Sequence, residues 1–290
     1  MKTVIMAGGK GSRIAAVRSD IPKPLMPIDG IPVLEREISS LVSQGFDDII
    51  ITVSHLGHKI IDYFGDGSGC SSITGKPFNA KITYFVEDTP LGNAGALFQI
   101  KDQLTDDFLL LNADAVFDID FKRFVRAHYE FGGLVTLFVH GNSHPYDSGL
   151  LITDENNSVL EWLTKEDKRP EWYFNCVNAG LHVVNKQVLE QVIDTPKIDL
   201  DRQILKPLAG KNKMFVYNSP EYVEDMGTPE RYEKVQRACK NGLLNARNLL
   251  NKQKAIFIDR DGTINKYIPF LNSIAEFELI PGVSDAIKKI

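Results

Sequence analysis

Short apolar runs, often β-branched, alternate along this chain with longer stretches whose apolar positions recur every three to four residues. Residues 48–53 and 82–86 are compact runs of strand length, and Val4-Ile5-Met6, 108–111 and 134–139 repeat the pattern. Between them, 33–43 places Leu34, Ile38, Leu41 and Val42 on one helical face, and 121–129 reads as another helix. Such alternation predicts an α/β fold, a Rossmann-like and mainly parallel sheet with helices on both faces. Ligands of such sheets lie beyond the carboxyl ends of the strands, so the loops there are the first places to look for chemistry.

From about residue 143 the pattern loosens. Short strands are expected at 150–152 and 181–184, separated by a polar excursion at 164–171 that contains Pro170. This region is expected to cap the sheet and shape a second pocket. Residues 229–239 read as a helix with Thr228 as N-cap and Pro229 in its first turn. A polar stretch at 241–253 follows as a linker and is expected to be helical. At Lys254 the grammar restarts, with 255–258 expected as a buried strand. The domains expected are therefore 1–240, the linker 241–253, and a truncated second α/β domain over 254–290.

Composition narrows the class. With 290 residues and 43% hydrophobic side chains the chain can bury a full core. No apolar run approaches the roughly 18 residues of a membrane span, and Met1-Lys2 leads straight into a strand, so a cytoplasmic protein without membrane association is expected. Cys70, Cys176 and Cys239 are scattered and suggest neither a disulfide framework nor a zinc knuckle, only buried or inert thiols. The net charge of −5 argues against nucleic-acid binding, yet Lys2, Lys10, Arg13, Arg18 and Lys23 cluster against Asp20 alone. That local field suits one small anion.

The segment Ala7-Gly8-Gly9-Lys10-Gly11-Ser12-Arg13, followed by Pro22-Lys23-Pro24, supplies the seat for such an anion. It is not a dinucleotide fingerprint, because from Gly9 the last glycine position falls on Ile14, nor a P-loop, because Gly9-Lys10 is followed by Gly11. From Ala7 through Leu25 it resembles the signature of the sugar-phosphate nucleotidyltransferases, which join a nucleoside triphosphate to a sugar 1-phosphate. That resemblance implies Arg13 on the β- and γ-phosphates, and Lys23 on the α-phosphate or the acceptor phosphate. Ala7, Gly8, Gly9 and Gly11 would supply backbone to the nucleotide.

Nucleotidyl transfer attacks the α-phosphorus with an oxygen that is already anionic, so cations and a metal matter more than a general base. The resemblance implies Mg²⁺ held by Asp114, after Asn112-Ala113 where the family usually has Gly before this Asp, and by Asp225, before Gly227-Thr228-Pro229. The stretch from Glu87 to Ala96 is similar to the family's base and sugar loop, in which Gly92 and Gly95 let the backbone approach the nucleoside and 94–100 starts a helix. A carboxylate at Glu87 or Asp88 would favour guanine. Asn178-Ala179-Gly180, Gly149 and Lys165 would meet the sugar, although Thr164 stands where the family has glutamate. His55/His58 and His140/His144 lack a third ligand and are expected in surface or packing roles. Trp162 and Trp172 are expected as core or pocket walls.

Past the linker, Asp259-Arg260-Asp261-Gly262-Thr263 resembles the first motif of the haloacid-dehalogenase phosphatases, most closely the heptose bisphosphate and histidinol phosphatase branch. Asp259 would be the nucleophile and Asp261 the general acid/base. The stretch from Asp261 to Ile290 is too short for the family's later motifs, so a silent fragment is expected, with its apolar strand packed on the first domain or on another copy in a homo-oligomer. Together the two resemblances imply GTP and heptose 1-phosphate as substrates. Mannose 1-phosphate with GTP, glucose 1-phosphate with UTP or dTTP, and a non-catalytic nucleotide-sugar sensor are the alternatives.

Overall fold

The computed structural model describes residues 1–9, 20–142, 145, 148–164, 166–190, 195, 197–252 and 255–289. They form two compact units, Met1–Asn251 and Lys252–Ile290, each described by itself.

The first unit begins with β1 (Lys2–Ala7), whose Val4 and Ile5 are fully buried. A small antiparallel ribbon, β2 (Pro27–Ile28) and β3 (Ile31–Pro32), leads into α1 (Val33–Ser43). Leu34, Ile38 and Leu41 of α1 lose all exposure, as their spacing requires. Each such burial contributes roughly 1.5–3 kcal/mol. Next come β4 (Asp48–Val53), α2 (Gly57–Phe64), β5 (Lys81–Val86), α3 (Gly95–Gln99) and β6 (Asp107–Asn112). The strand order β6-β1-β4-β5 is parallel throughout. Parallel neighbours need crossover connections, which is why helical periods separate these strands in the sequence.

The second half of the unit contains β7 (Ala115–Asp118), α4 (Phe121–Phe131), β8 (Val135–His140), β9 (Leu150–Thr153), β10 (Val159–Leu163), β11 (Val177–Asn185), β12 (Met214–Asn218) and β13 (Tyr222–Asp225). Here the structure differs from the expected cap. β11 lies against β6 in the same sheet but antiparallel to it, and β8, β9 and β10 continue the sheet from there, with β12 parallel to β8. Between β9 and β11 there is no helical period to make a crossover, so the strands return by turns. The β9–β10 turn is closed by Asp154, whose carboxylate accepts from the backbone N–H of Asn156 and Ser158.

β7 and β13 form a separate two-stranded ladder. α5 (Pro229–Lys240) starts where the sequence indicates, with the Thr228 hydroxyl accepting from Arg231 N. The expected linker contains a further helix, α6 (Leu243–Arg247), whose Leu244 is buried, and Leu249 N donates to Glu221. No helix among the described residues is long and apolar enough to cross a membrane.

The unit over 252–290 corrects one expectation. Residues 255–258 form no strand, and Ile256, Phe257 and Ile258 are exposed. A strand needs a neighbour for its backbone groups and apolar side chains, and the pairings described within this unit are isolated bridges from Asn265 to Asp261 and Leu279. A short helix, α7 (Val283–Ile287), follows.

Candidate active site

The register of the parallel strands aligns their carboxyl ends: Met6 lies opposite Asn112, Ala7 opposite Val53, and Val53 opposite Val86. The residues at and just beyond those ends converge on a cavity of about 420 Å³ lined by Ala7, Gly8, Gly9, Glu87, Gly92 and Asp114, together with Lys23. The Ser54 hydroxyl donates to Gly8 O at 2.5 Å and fixes the turn. A β-carbon on Gly8 would lie 3.1 Å from Glu87 Oε1, whereas Gly9 faces open space. Burial pushes the Glu87 carboxyl above its ordinary range, opposed by a hydrogen bond from Leu91 N. Gly92 has φ +83°, and a β-carbon there would come within 2.3 Å of Ile198 O. Its need for glycine therefore arises from the neighbouring backbone, not only from a ligand.

Pro22 and Pro24 bracket Lys23 in a short helical turn, and the buried Lys23 Nζ donates to Asp114 Oδ2 at 2.7 Å. Asp114 follows the end of β6, and the β7–β13 ladder then sets Asp225 opposite Ala115 while Met226 N donates to Asp114 O at 2.9 Å. Two acids more than a hundred positions apart in sequence thus line the same cavity. Arg231 Nη1 donates to both Asp225 carboxylate oxygens, at 2.9 and 2.8 Å, and Gly227 N adds a bond of 2.7 Å. Burial raises the Asp225 pKa, but these hydrogen bonds and the charges of Arg231 and Lys23 outweigh it and hold the carboxyl below its ordinary range. Beneath them, Glu37 of α1 is fully buried with neither carboxylate oxygen hydrogen-bonded. Burial, and then the charge of Asp114, pushes Glu37 well above the usual carboxylate range.

A second cavity, of about 330 Å³, shares Asn93, Asn112 and Asp114 with the first. Its remaining wall includes Gly149, Trp162, Asn178, His182, Asp201, Asp225 and Arg231. Asn178 sits where the β11–β8 register shifts, and Gly180 in that bulge has φ +76° with Asn112 packed against it. Bulges of this kind re-aim side chains. Gly149 packs on the Trp162 indole, which a β-carbon would approach to 2.9 Å. Burial, and then the charge of Asp199, pushes Asp201 up to about 6 against the opposing charge of Arg202.

The nucleotidyl transferase family model matches residues 2–242. The chain belongs to the nucleotidyl transferase family. It is 28% identical over 232 residues to the mannose-1-phosphate guanylyltransferase of Mycobacterium tuberculosis, covering 79% of this chain and 62% of that protein. It therefore spans less than two thirds of the length of that relative. It is 26% identical over 238 residues to the D-glycero-alpha-D-manno-heptose 1-phosphate guanylyltransferase of Aneurinibacillus thermoaerophilus, covering 82% of this chain and 97% of that one. Among solved structures it is similar to HddC from Yersinia pseudotuberculosis, with a TM-score of 0.67, 26% identity, and coverage of 82% of this chain and 99% of that chain. HddC is also known complexed with GMP-PN.

In this nucleotidyl transferase family member, Ala7, Gly8, Gly9, Lys23, Glu87, Gly92 and Asp114 meet at the first cavity, and Gly149, Asn178, Asp114 and Asp225 at the second. Gly11, Arg13 and Lys165 lie outside the described residues. Trp162 is a pocket wall as expected, but Trp172 is 71% exposed and pairs edge-to-face with Phe174. Cys70 is exposed and Cys176 is buried, and both are free thiols. His55 and His58 are exposed, and no group of three metal-binding side chains occurs among the described residues. Asp259 and Asp261 lie in the 252–290 unit, where Arg260 Nε and Nη2 donate to the Asp261 carboxylate at 2.9 and 3.0 Å. Sequence reasoning missed Arg231, Glu37, His182 and Asp201. For Arg231 a signal existed, its place as a cation in the first turn of the helix that starts just beyond Asp225.

Proposed function

We propose that residues 1–240 transfer a nucleotidyl group from a nucleoside triphosphate, GTP foremost, to a sugar 1-phosphate, heptose 1-phosphate foremost, with release of pyrophosphate. The observation that carries this reading is the place of Asp114, in the wall common to two adjoining cavities, bound to Lys23, with Asp225 lining the second cavity as well. A nucleotide in the first cavity and a sugar phosphate in the second would meet at that wall. An oxygen of the sugar phosphate attacks the α-phosphorus, a new P–O bond forms in line, and the bond to the β-phosphate oxygen breaks with its electron pair leaving on pyrophosphate. Lys23 offsets the repulsion between the two anions, and Arg13 is the cation we assign to the leaving group.

Asp114 and Asp225 line the same cavity with an all-oxygen donor set, and Asp225 is held ionised, so the pair fits Mg²⁺ with phosphates and water completing its shell. When bound, the ion would neutralise phosphate charge at the reacting centre. Gly8, Gly9, Gly11 and Gly92 are assigned to the nucleotide, with Glu87 accepting from the base, a choice that suits the N–H donors of guanine. Asn178, Gly149 and Lys165 are assigned to the sugar. The 28% identity to a mannose-1-phosphate guanylyltransferase supports mannose 1-phosphate as the second acceptor. A nucleoside triphosphate donor makes the cytoplasm the proposed compartment.

Pyrophosphate release tests the reading, with GTP, UTP and dTTP each offered heptose, mannose and glucose 1-phosphates in the presence of Mg²⁺. GTP with heptose 1-phosphate is expected to be fastest. Nucleotide binding with no release from any pair would overturn the transferase reading in favour of a nucleotide-sugar sensor. Asp114→Asn should lower turnover by about a hundredfold or more while leaving the circular dichroism spectrum unchanged.

For 252–290 we propose the opening of a haloacid-dehalogenase phosphatase, with Asp259 as nucleophile and Asp261 as acid/base, joined to the transferase in a bifunctional scheme. The hydrogen bond and charge of Arg260 hold Asp261 below its ordinary range. Because 255–258 form no strand to frame Asp259, these 290 residues should release no phosphate from heptose 1,7-bisphosphate. Phosphate release lost on Asp259→Asn would contradict that.

A further inference from the structure

β11 carries into the core a polar side chain that the reading above leaves unused. His182 is 1% exposed, beside the apolar Leu181, Val183 and Val184. Its Nε2 lies 3.0 Å from Asn178 Oδ1, while its Nδ1 is buried without a hydrogen-bond partner. Burial pushes the imidazole down to about 3, so the ring is neutral near pH 7 and carries one N–H.

Asn178 decides where that proton sits. The backbone N–H of Gly180 donates to the same Oδ1 at 3.1 Å. A backbone amide only donates, so the atom it meets must be the carbonyl oxygen of the side-chain amide. An amide oxygen only accepts, so His182 Nε2 carries the proton and Nδ1 carries the lone pair. The oxygen of Asn178 is thus held by two donors on its own strand, and its NH₂ is the end left for the cavity. A reversed amide would set its NH₂ against the Gly180 N–H, two donors with no acceptor between them. An unpaired buried acceptor such as Nδ1 is a desolvation cost that an aliphatic residue in this strand would avoid. The visible compensation is the fixed amide.

We infer that His182 is a positioning residue that locks the Asn178 amide with its NH₂ toward the second cavity, and thereby sets the affinity for the sugar 1-phosphate. The pocket then presents amide donors at Asn178 and a carboxylate acceptor at Asp201, a pairing that suits a polyhydroxylated ligand. The inference rests on the transferase reading above for the identity of that ligand.

The test compares His182→Leu with His182→Gln, whose side-chain nitrogen can stand near the place of Nε2. In His182→Leu the KM for the sugar 1-phosphate should rise about tenfold, the scale of one lost hydrogen bond, with kcat and the KM for the triphosphate within about twofold of the parent. His182→Gln should restore most of the affinity. An unchanged sugar KM, or an equal rise for both substrates, would overturn the inference. A separate readout needs no turnover: the imidazole nitrogen shifts of the unsubstituted protein should report the Nε2–H tautomer at pH 7, and an Nδ1–H tautomer would overturn it even if the leucine variant does not fold. If the unsubstituted protein releases no pyrophosphate with any sugar phosphate, the transferase reading fails and the tautomer still decides the role of His182.

Discussion

Individual residues show how far a sequence can point to a site. Lys23, Asp114 and Asp225 are legible because each sits at a break in an apolar pattern, between prolines or at a strand end, where a polar side chain has no packing reason to be. His182 and Asp201 are not legible in this way, because their meaning depends on a cavity assembled from distant segments. Glu37 is legible only as one more polar position on an amphipathic helix, and the pattern gives no hint that it is fully buried beneath Asp114. Gly92 shows a different gap, since its sequence context suggests approach to a ligand while its geometry is dictated by Ile198. Gly92→Ala combines positive φ with a backbone clash and should destabilise the fold by about 2 kcal/mol or more, read as a lower urea midpoint. A midpoint unchanged by that substitution would mean that the Gly92–Ile198 approach is not as close as described.

At the scale of elements, strands and helices with strong periodicity are where the sequence places them, from β4 and α1 to the capped start of α5. The direction of β11 is not encoded in its own residues. Direction follows from the connection, and the stretch before β11 supplies turns where a parallel neighbour would require a crossover helix. The expected strand at 255–258 fails for a related reason: four apolar residues propose a strand, but only a partner makes one. α6 is the converse, a helix that forms in the polar linker where one is expected. Leu244 is buried, Asn248 donates to Asp118 and Leu249 N donates to Glu221. A chain ending at Gly242, where the family match ends, should therefore be about 3 kcal/mol less stable than one ending at Asn251. Equal thermal midpoints for the two would show that these contacts contribute nothing.

For the molecule as a whole, stability depends on protons bound in the wall of the second cavity, at residues from different elements. His182 stays neutral in the folded chain down to about pH 3, whereas an unfolded histidine takes up a proton near 6.5, so acidification from pH 7 to 5 favours the unfolded state through this group. Asp201 acts in the opposite sense. Its folded pKa of about 6 lies above the unfolded 3.8, so its contribution falls as the pH rises through that window. Relative to the parent, His182→Leu should therefore gain stability in urea titrations as the pH is lowered from 7 to 5, and Asp201→Asn should lose it. Parallel pH profiles for parent and variants would contradict both assignments.

The wall formed by Asn93, Asn112 and Asp114 also constrains traffic through the molecule. Because one partition serves two chambers, the joined nucleotide–sugar product of the transferase proposed above would straddle it and occupy both berths at once. On that proposal the product would compete with each incoming reactant, and it would have to depart as a single elongated body.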